Sequence, residues 1–128
     1  MKKILIVDDS QKWVEFHKRR VLELFGENNV EIETANSARE GLDAVTLNID
    51  TPFDIILTDM QMETDFAPLY AGEWLIRQIQ SYKEYINTGI IIISATYNIR
   101  LIAEKYGVLC IPKSACQLPE SYKILIGN

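Results

Sequence analysis

The sequence predicts an α/β domain built on a doubly wound parallel sheet. Short apolar runs alternate with segments of helical periodicity along the whole chain, the pattern of βαβ units. Three of the runs, Ile4-Leu5-Ile6-Val7, Ile55-Ile56-Leu57 and Ile90-Ile91-Ile92-Ile93, are apolar at every position, as strands covered on both faces must be. A fourth run, Val108-Leu109-Cys110-Ile111, is similar. At or just past the C-terminal ends of these four runs stand Asp8-Asp9, Asp59, Ser94 and Lys113. In open α/β sheets ligands bind along that edge.

Each element has its own signal. After the first strand, Trp13, Phe16, Val21 and Leu24 recur at near-helical spacing, and Gly26 supplies a stop. Val30-Glu31-Ile32-Glu33 alternates apolar and acidic residues, which suits an edge strand with one exposed face. Ser37-Ala38-Arg39-Glu40 is a capping box, and Ala38, Leu42, Val45 and Ile49 trace one face of the helix behind it. A third helix starts near Gly72-Glu73, with Leu75, Ile76 and Ile79 inward. A fourth runs from about Asn98 to Tyr106 and ends at Gly107, and Pro119 opens a last helix carrying Tyr122, Leu125 and Ile126. The sum is a (βα)5 three-layer sandwich. Right-handed crossovers with the all-apolar strands in the middle give the order 2-1-3-4-5, the flavodoxin-like arrangement. Residues 1–128 are expected to form this single domain, with no linker, repeat or attached output domain.

Composition narrows the function classes. The 128 residues are 48% apolar and 24% charged, with a net charge of −5. That balance argues against a nucleic-acid surface, which needs clustered Lys and Arg. The one basic cluster, Lys18-Arg19-Arg20, reads as a solvated helix face. No apolar stretch is long enough to span a bilayer. Two cysteines, Cys110 and Cys116, make no disulfide framework, so a cytoplasmic protein with reduced thiols is expected.

Two adjacent carboxylates and a third across the sheet repel one another in a partly buried pocket. A divalent cation relieves this, and an all-oxygen set favours Mg²⁺, with Mn²⁺ able to substitute. A carboxylate left over is a nucleophile toward phosphorus, and Lys113 and the Ser94 hydroxyl are placed to stabilise the developing charge. Asp54, before its strand, reads as a turn residue at the opposite edge. His17, the only histidine, reads as a surface residue of the first helix, and Trp13 and Trp74 as packing.

These pieces together resemble the receiver domains of two-component response regulators. The matching segments are Ile6-Val7-Asp8-Asp9-Ser10, Phe53 to Met60, Ile92-Ile93-Ser94-Ala95 and Ile111-Pro112-Lys113. The resemblance implies a switch, not an enzyme. It makes Asp59 both phosphoacceptor and metal ligand, Asp9 the direct metal ligand with Asp8 beside it acting partly through water, and the Gln61 backbone carbonyl a further ligand. It makes Ser94 the switch hydroxyl and Lys113 the ammonium that pairs with the phosphoryl group. The donor in that family is a sensor histidine kinase or a histidine phosphotransfer protein, and a downstream protein reads the state.

The departures are local. The loop Met60 to Ala71 is longer than the family norm, and the span from Ser94 to Lys113 is shorter. Cys110 stands where many members carry a switch aromatic, and Ser114 follows the lysine where Pro is usual. These changes fall on the face often used for output, so a homodimer through it is possible but its usual mode is not implied. In the long loop, Glu63 and Asp65 read as solvated carboxylates, whereas Phe66 and Tyr70 read as a contact surface. Two other readings compete. A hydrolase of the haloacid dehalogenase type needs a second Asp two residues after the nucleophile, where this chain has Gln61. A pseudo-receiver would keep the fold as an interaction module without taking phosphate.

Overall fold

The computed structural model describes residues 1–62 and 71–126. Five strands, β1 (Lys2–Val7), β2 (Val30–Ala35), β3 (Ile55–Thr58), β4 (Gly89–Ser94) and β5 (Leu109–Pro112), form one parallel sheet. Its order is β2-β1-β3-β4-β5, as expected. Four α-helices connect them: α1 (Gln11–Phe25), α2 (Ala38–Leu47), α3 (Ala71–Gln80) and α4 (Ile99–Tyr106).

Strand alternation divides the core into two layers. Ile4, Ile6, Ile55, Leu57, Ile91, Ile93 and Ile111 face α1 and the C-terminal segment, packing on Val21, Tyr122 and Leu125. Leu5, Val7, Ile56, Ile90 and Ile92 face the other way, onto Leu75, Ile76, Ile79 and Ile102. Burial of this much apolar surface on both faces is the main force holding the sandwich. Leu75, Ile76 and Ile79 of α3 are buried as expected, α4 buries Ile99, Ile102 and Ala103, and the expected stop Gly107 closes α4 in the left-handed region at φ 67°.

The capping box before α2 is real but shifted. Ser37 Oγ accepts the Glu40 N–H at 3.1 Å, whereas Glu40 Oε1 accepts from Asn36 N–H rather than from Ser37. Ile49 lies beyond the end of α2 at Leu47. The last element differs more. Residues Pro119–Leu125 form a 3₁₀ helix, not an α-helix, and Ile126 is exposed. Tyr122 and Leu125, three residues apart, share its buried side, the spacing at which 3₁₀ side chains eclipse.

A second correction concerns α1. Its buried residues are Val14, His17 and Val21, so the inward stripe is rotated from the Trp13–Phe16 line. Trp13 and Phe16 flank the core only partly buried, and His17 is 2% exposed rather than on the surface. Among the described residues, no helix is long and apolar enough to cross a membrane.

Candidate functional site

The sheet register brings the predicted residues together. Val7 of β1 lies beside Thr58 of β3, so Asp8 and Asp59 leave adjacent strand ends. The ladder continues one step further: Asp8 N–H donates to the Ala35 carbonyl at 3.1 Å and Asp59 N–H to the Val7 carbonyl at 2.9 Å. Carboxylate oxygens of Asp8, Asp9 and Asp59 all lie within 4.8 Å of one another. Asp8 and Asp59 are buried, at 1% and 5% exposure.

Lys113 arrives from the end of β5. Its Nζ lies 3.1 Å from Asp59 Oδ2 and 3.6 Å from Asp8 Oδ2. It also sits 4.8 Å above the Trp13 ring centroid, where the face of the indole attracts a cation. Trp13 thus forms part of the site's wall, a role its sequence position did not reveal. The helix that carries it starts at Ser10, whose hydroxyl accepts the Trp13 N–H at 3.4 Å.

The oxygens are used unequally. Asp59 Oδ1 accepts the Met60 N–H at 2.7 Å and the Gln61 N–H at 3.4 Å. Asp8 Oδ1 accepts the Ser10 N–H at 2.9 Å, but Asp8 Oδ2 is buried without a hydrogen bond. Burial pushes the Asp59 carboxyl above the usual range of its kind, and the neighbouring Asp8 adds to this. The Lys113 charge and hydrogen bond and the Met60 N–H oppose it without prevailing. One ammonium therefore leaves the pocket with excess negative charge. A hard divalent cation fits such a set, because all the offered atoms are carboxylate oxygens and one buried oxygen has no hydrogen bond.

Ser94 ends β4 beside Pro112, at 1% exposure. Its hydroxyl accepts the Thr96 N–H at 3.2 Å, so it is held by its own loop. Ser94, Thr96, Arg100, Lys113 and Ser114 line a shallow cavity along this rim. Asp54 lies at the opposite end of the sheet, as expected, where Oδ2 accepts the Lys3 N–H at 2.8 Å. The expectations for Glu63, Asp65, Phe66 and Tyr70 lie outside the described residues.

No family model and no curated relative matches the chain. Solved structures do. The signal receiver domain of a DNA-binding response regulator from Colwellia psychrerythraea 34H superposes with a TM-score of 0.75 over 100% of both chains, at 20% identity. The chain has the receiver fold. The chemotaxis response regulator CheY4 of Vibrio cholerae aligns over 98% of each chain at 18% identity, with a TM-score of 0.72. The phosphorylated cyanobacterial phytochrome response regulator RcpA covers 96% of this chain and 91% of its own at 15% identity, with a TM-score of 0.75. At these identities the likeness establishes the receiver fold, and the chemistry rests on the pocket itself.

Proposed function

We propose that the chain is a phosphoacceptor switch of the response-regulator kind, taking a phosphoryl group on Asp59. The observation that supports this most is the meeting of Asp8, Asp9, Asp59 and Lys113 at the C-terminal edge of the sheet. An Asp59 carboxylate oxygen attacks the phosphorus of the donor. The bond from phosphorus to the donor's histidine nitrogen breaks, the imidazole keeps the electron pair, and an acyl phosphate forms. Asp9 and Asp8, with the Gln61 carbonyl, would hold Mg²⁺, which supplies compensation for phosphoryl charge. Lys113 passes from the Asp59 carboxylate to the phosphoryl oxygens, and the Ser94 hydroxyl turns from Thr96 toward the same group. Altered contacts of those two side chains alter the surface that a downstream protein reads. The donor is a sensor histidine kinase or a histidine phosphotransfer protein, in the cytoplasm.

Intact mass after incubation with Mg²⁺ and acetyl phosphate tests the proposal. A single phosphoryl adduct is expected; a parent that binds Mg²⁺ yet gains no mass would be a pseudo-receiver. Asp9→Ala weakens Mg²⁺ binding by more than the roughly 10- to 100-fold typical of losing an outer-shell partner, because a direct carboxylate ligand is removed. A calorimetric titration matching the parent would remove Asp9 from the ligand set. Lys113→Ala still accepts phosphate, though more slowly, but shows no phosphorylation-dependent shift in its amide NMR spectrum. A parent-like shift would mean that another group carries the response.

A further inference from the structure

We infer that His17 is a positioning residue that orients Asp8 in the acidic pocket and couples the pocket to the C-terminal 3₁₀ helix. This rests on the reading of the pocket as a cation site. Asp8 continues the strand parity of Ile4 and Ile6, so its side chain turns to the α1 side of the sheet, where His17 lies. His17 Nε2 is 3.7 Å from Asp8 Oδ2, and Nδ1 is 2.8 Å from the Tyr122 hydroxyl. The ring is clamped, stacked on Trp13 with centroids 5.4 Å apart and against the edge of Phe16 at 6.2 Å. Tyr122, itself 1% exposed, belongs to the 3₁₀ helix Pro119–Leu125.

The chemistry of the two ends sets the roles. At 3.7 Å the ring is just beyond hydrogen-bond distance of Asp8 Oδ2, and since a carboxylate oxygen only accepts, the tautomer that suits this approach carries its proton on Nε2. In the neutral ring Nδ1 then accepts, and the Tyr122 O–H donates to it. One polar chain thus runs from Tyr122 through the imidazole to Asp8 Oδ2, the pocket oxygen with no hydrogen bond. Simple packing does not call for an imidazole here. Its buried companions along α1 are Val14 and Val21, and burying polar nitrogens is unfavourable unless they are used. Carboxylates that hold metals are usually themselves oriented by such outer groups. Because coupling is reciprocal, a cation on Asp8 must also favour the docked position of Tyr122.

A single histidine gives one imidazole signal, which makes the test direct. In ¹⁵N-resolved NMR the ring is expected as the Nε2–H tautomer, and its shifts should move as Mg²⁺ is added, with the midpoint found by calorimetry. His17→Leu lowers Mg²⁺ affinity roughly tenfold, the low end for an outer-shell residue, and Tyr122→Phe lowers it less. His17→Leu also removes the ring's hydrogen bond to the buried Tyr122 hydroxyl, leaving it only the Cys116 thiol, so lost binding by itself could reflect a weakened fold. The double variant His17→Leu/Tyr122→Phe removes both polar partners together and restores an apolar contact. It should melt like the parent and still bind Mg²⁺ weakly. A folded double variant with parental affinity, or an imidazole signal that ignores Mg²⁺, overturns the inference. In either case a phosphoryl adduct that requires Asp59 would leave the switch itself standing. A parent that binds no Mg²⁺ overturns both.

Discussion

An Asp59→Asn protein gains no phosphoryl mass and, without Mg²⁺ at neutral pH, melts a few degrees above the parent. The first part follows from the amide, which cannot form an acyl phosphate. The second follows from the electrostatics of the resting pocket. Burial and Asp8 raise the Asp59 pKa above its ordinary 3.8, so the folded state holds this proton more tightly than the unfolded chain does. Between the two values the unfolded state binds fewer protons, and stability falls as pH rises through that window. Above the folded value the ionised carboxylate carries its full cost. Asn removes the charge while its carbonyl oxygen keeps the Met60 and Gln61 N–H bonds, and Lys113 retains Asp8 at 3.6 Å. The advantage of the variant should therefore vanish as pH falls below the ordinary carboxylate range. Mg²⁺ should reverse the ranking by stabilising the parent more. Melting curves at several pH values, with and without Mg²⁺, check this. A variant less stable than the parent at neutral pH without metal would mean that the Lys113–Asp59 pair outweighs the repulsion.

Gly72→Ala should have a large effect of the opposite sign. A Cβ on Gly72 would lie 2.2 Å from the Asp59 carbonyl oxygen, 2.7 Å from Met60 Cα and 3.0 Å from the Asp59 carbonyl carbon. All three are backbone atoms, so no side chain can swing aside. The Gly72 N–H also donates to the Met60 carbonyl at 3.1 Å, which fixes the close approach. Relief requires α3 to retreat or the segment carrying Asp59 to shift. Overpacking of this kind costs about 2–3 kcal/mol, a fall in melting temperature on the order of 10 °C. Displacing Asp59 should also slow phosphorylation from acetyl phosphate by at least about tenfold, since reacting groups tolerate little misplacement. Thermal melting and the rate of mass gain read the two effects. Parental values of both would show that the helix start accommodates the methyl at no cost.

Strand positions and sheet order were legible because the all-apolar runs allow little other than buried strands. The edge strand announced itself through Glu31 and Glu33, and the acidic pocket through residues that follow the runs at matching places. Other features depend on contacts distant in sequence. His17 carries a polar label, and the neighbouring Trp13 and Phe16 suggested a stripe that hid its true face. The spacing Val14, His17, Val21 is equally helical and is the one that the structure buries. The contact of Lys113 with Trp13 joins residues a hundred positions apart. Ser94 could be placed at a strand end but not turned toward Thr96, because a hydroxyl's direction depends on the local loop. The last helix had Pro119 and buried Tyr122 and Leu125 to announce it, yet a three-residue repeat so short does not separate 3₁₀ from α geometry.

The hydrogen bond between Gly72 and Met60 has a consequence for how this molecule could diversify. It joins positions twelve residues apart in the sequence, just after Asp59 and at the start of α3. Residues added between these two positions would lengthen a loop whose closure this bond already marks. The entropy of closing such a loop grows only logarithmically, by about 0.6 kcal/mol for each doubling of length. Sequence added between Met60 and Gly72 should therefore cost little stability as long as this bond keeps Asp59 and the start of α3 together.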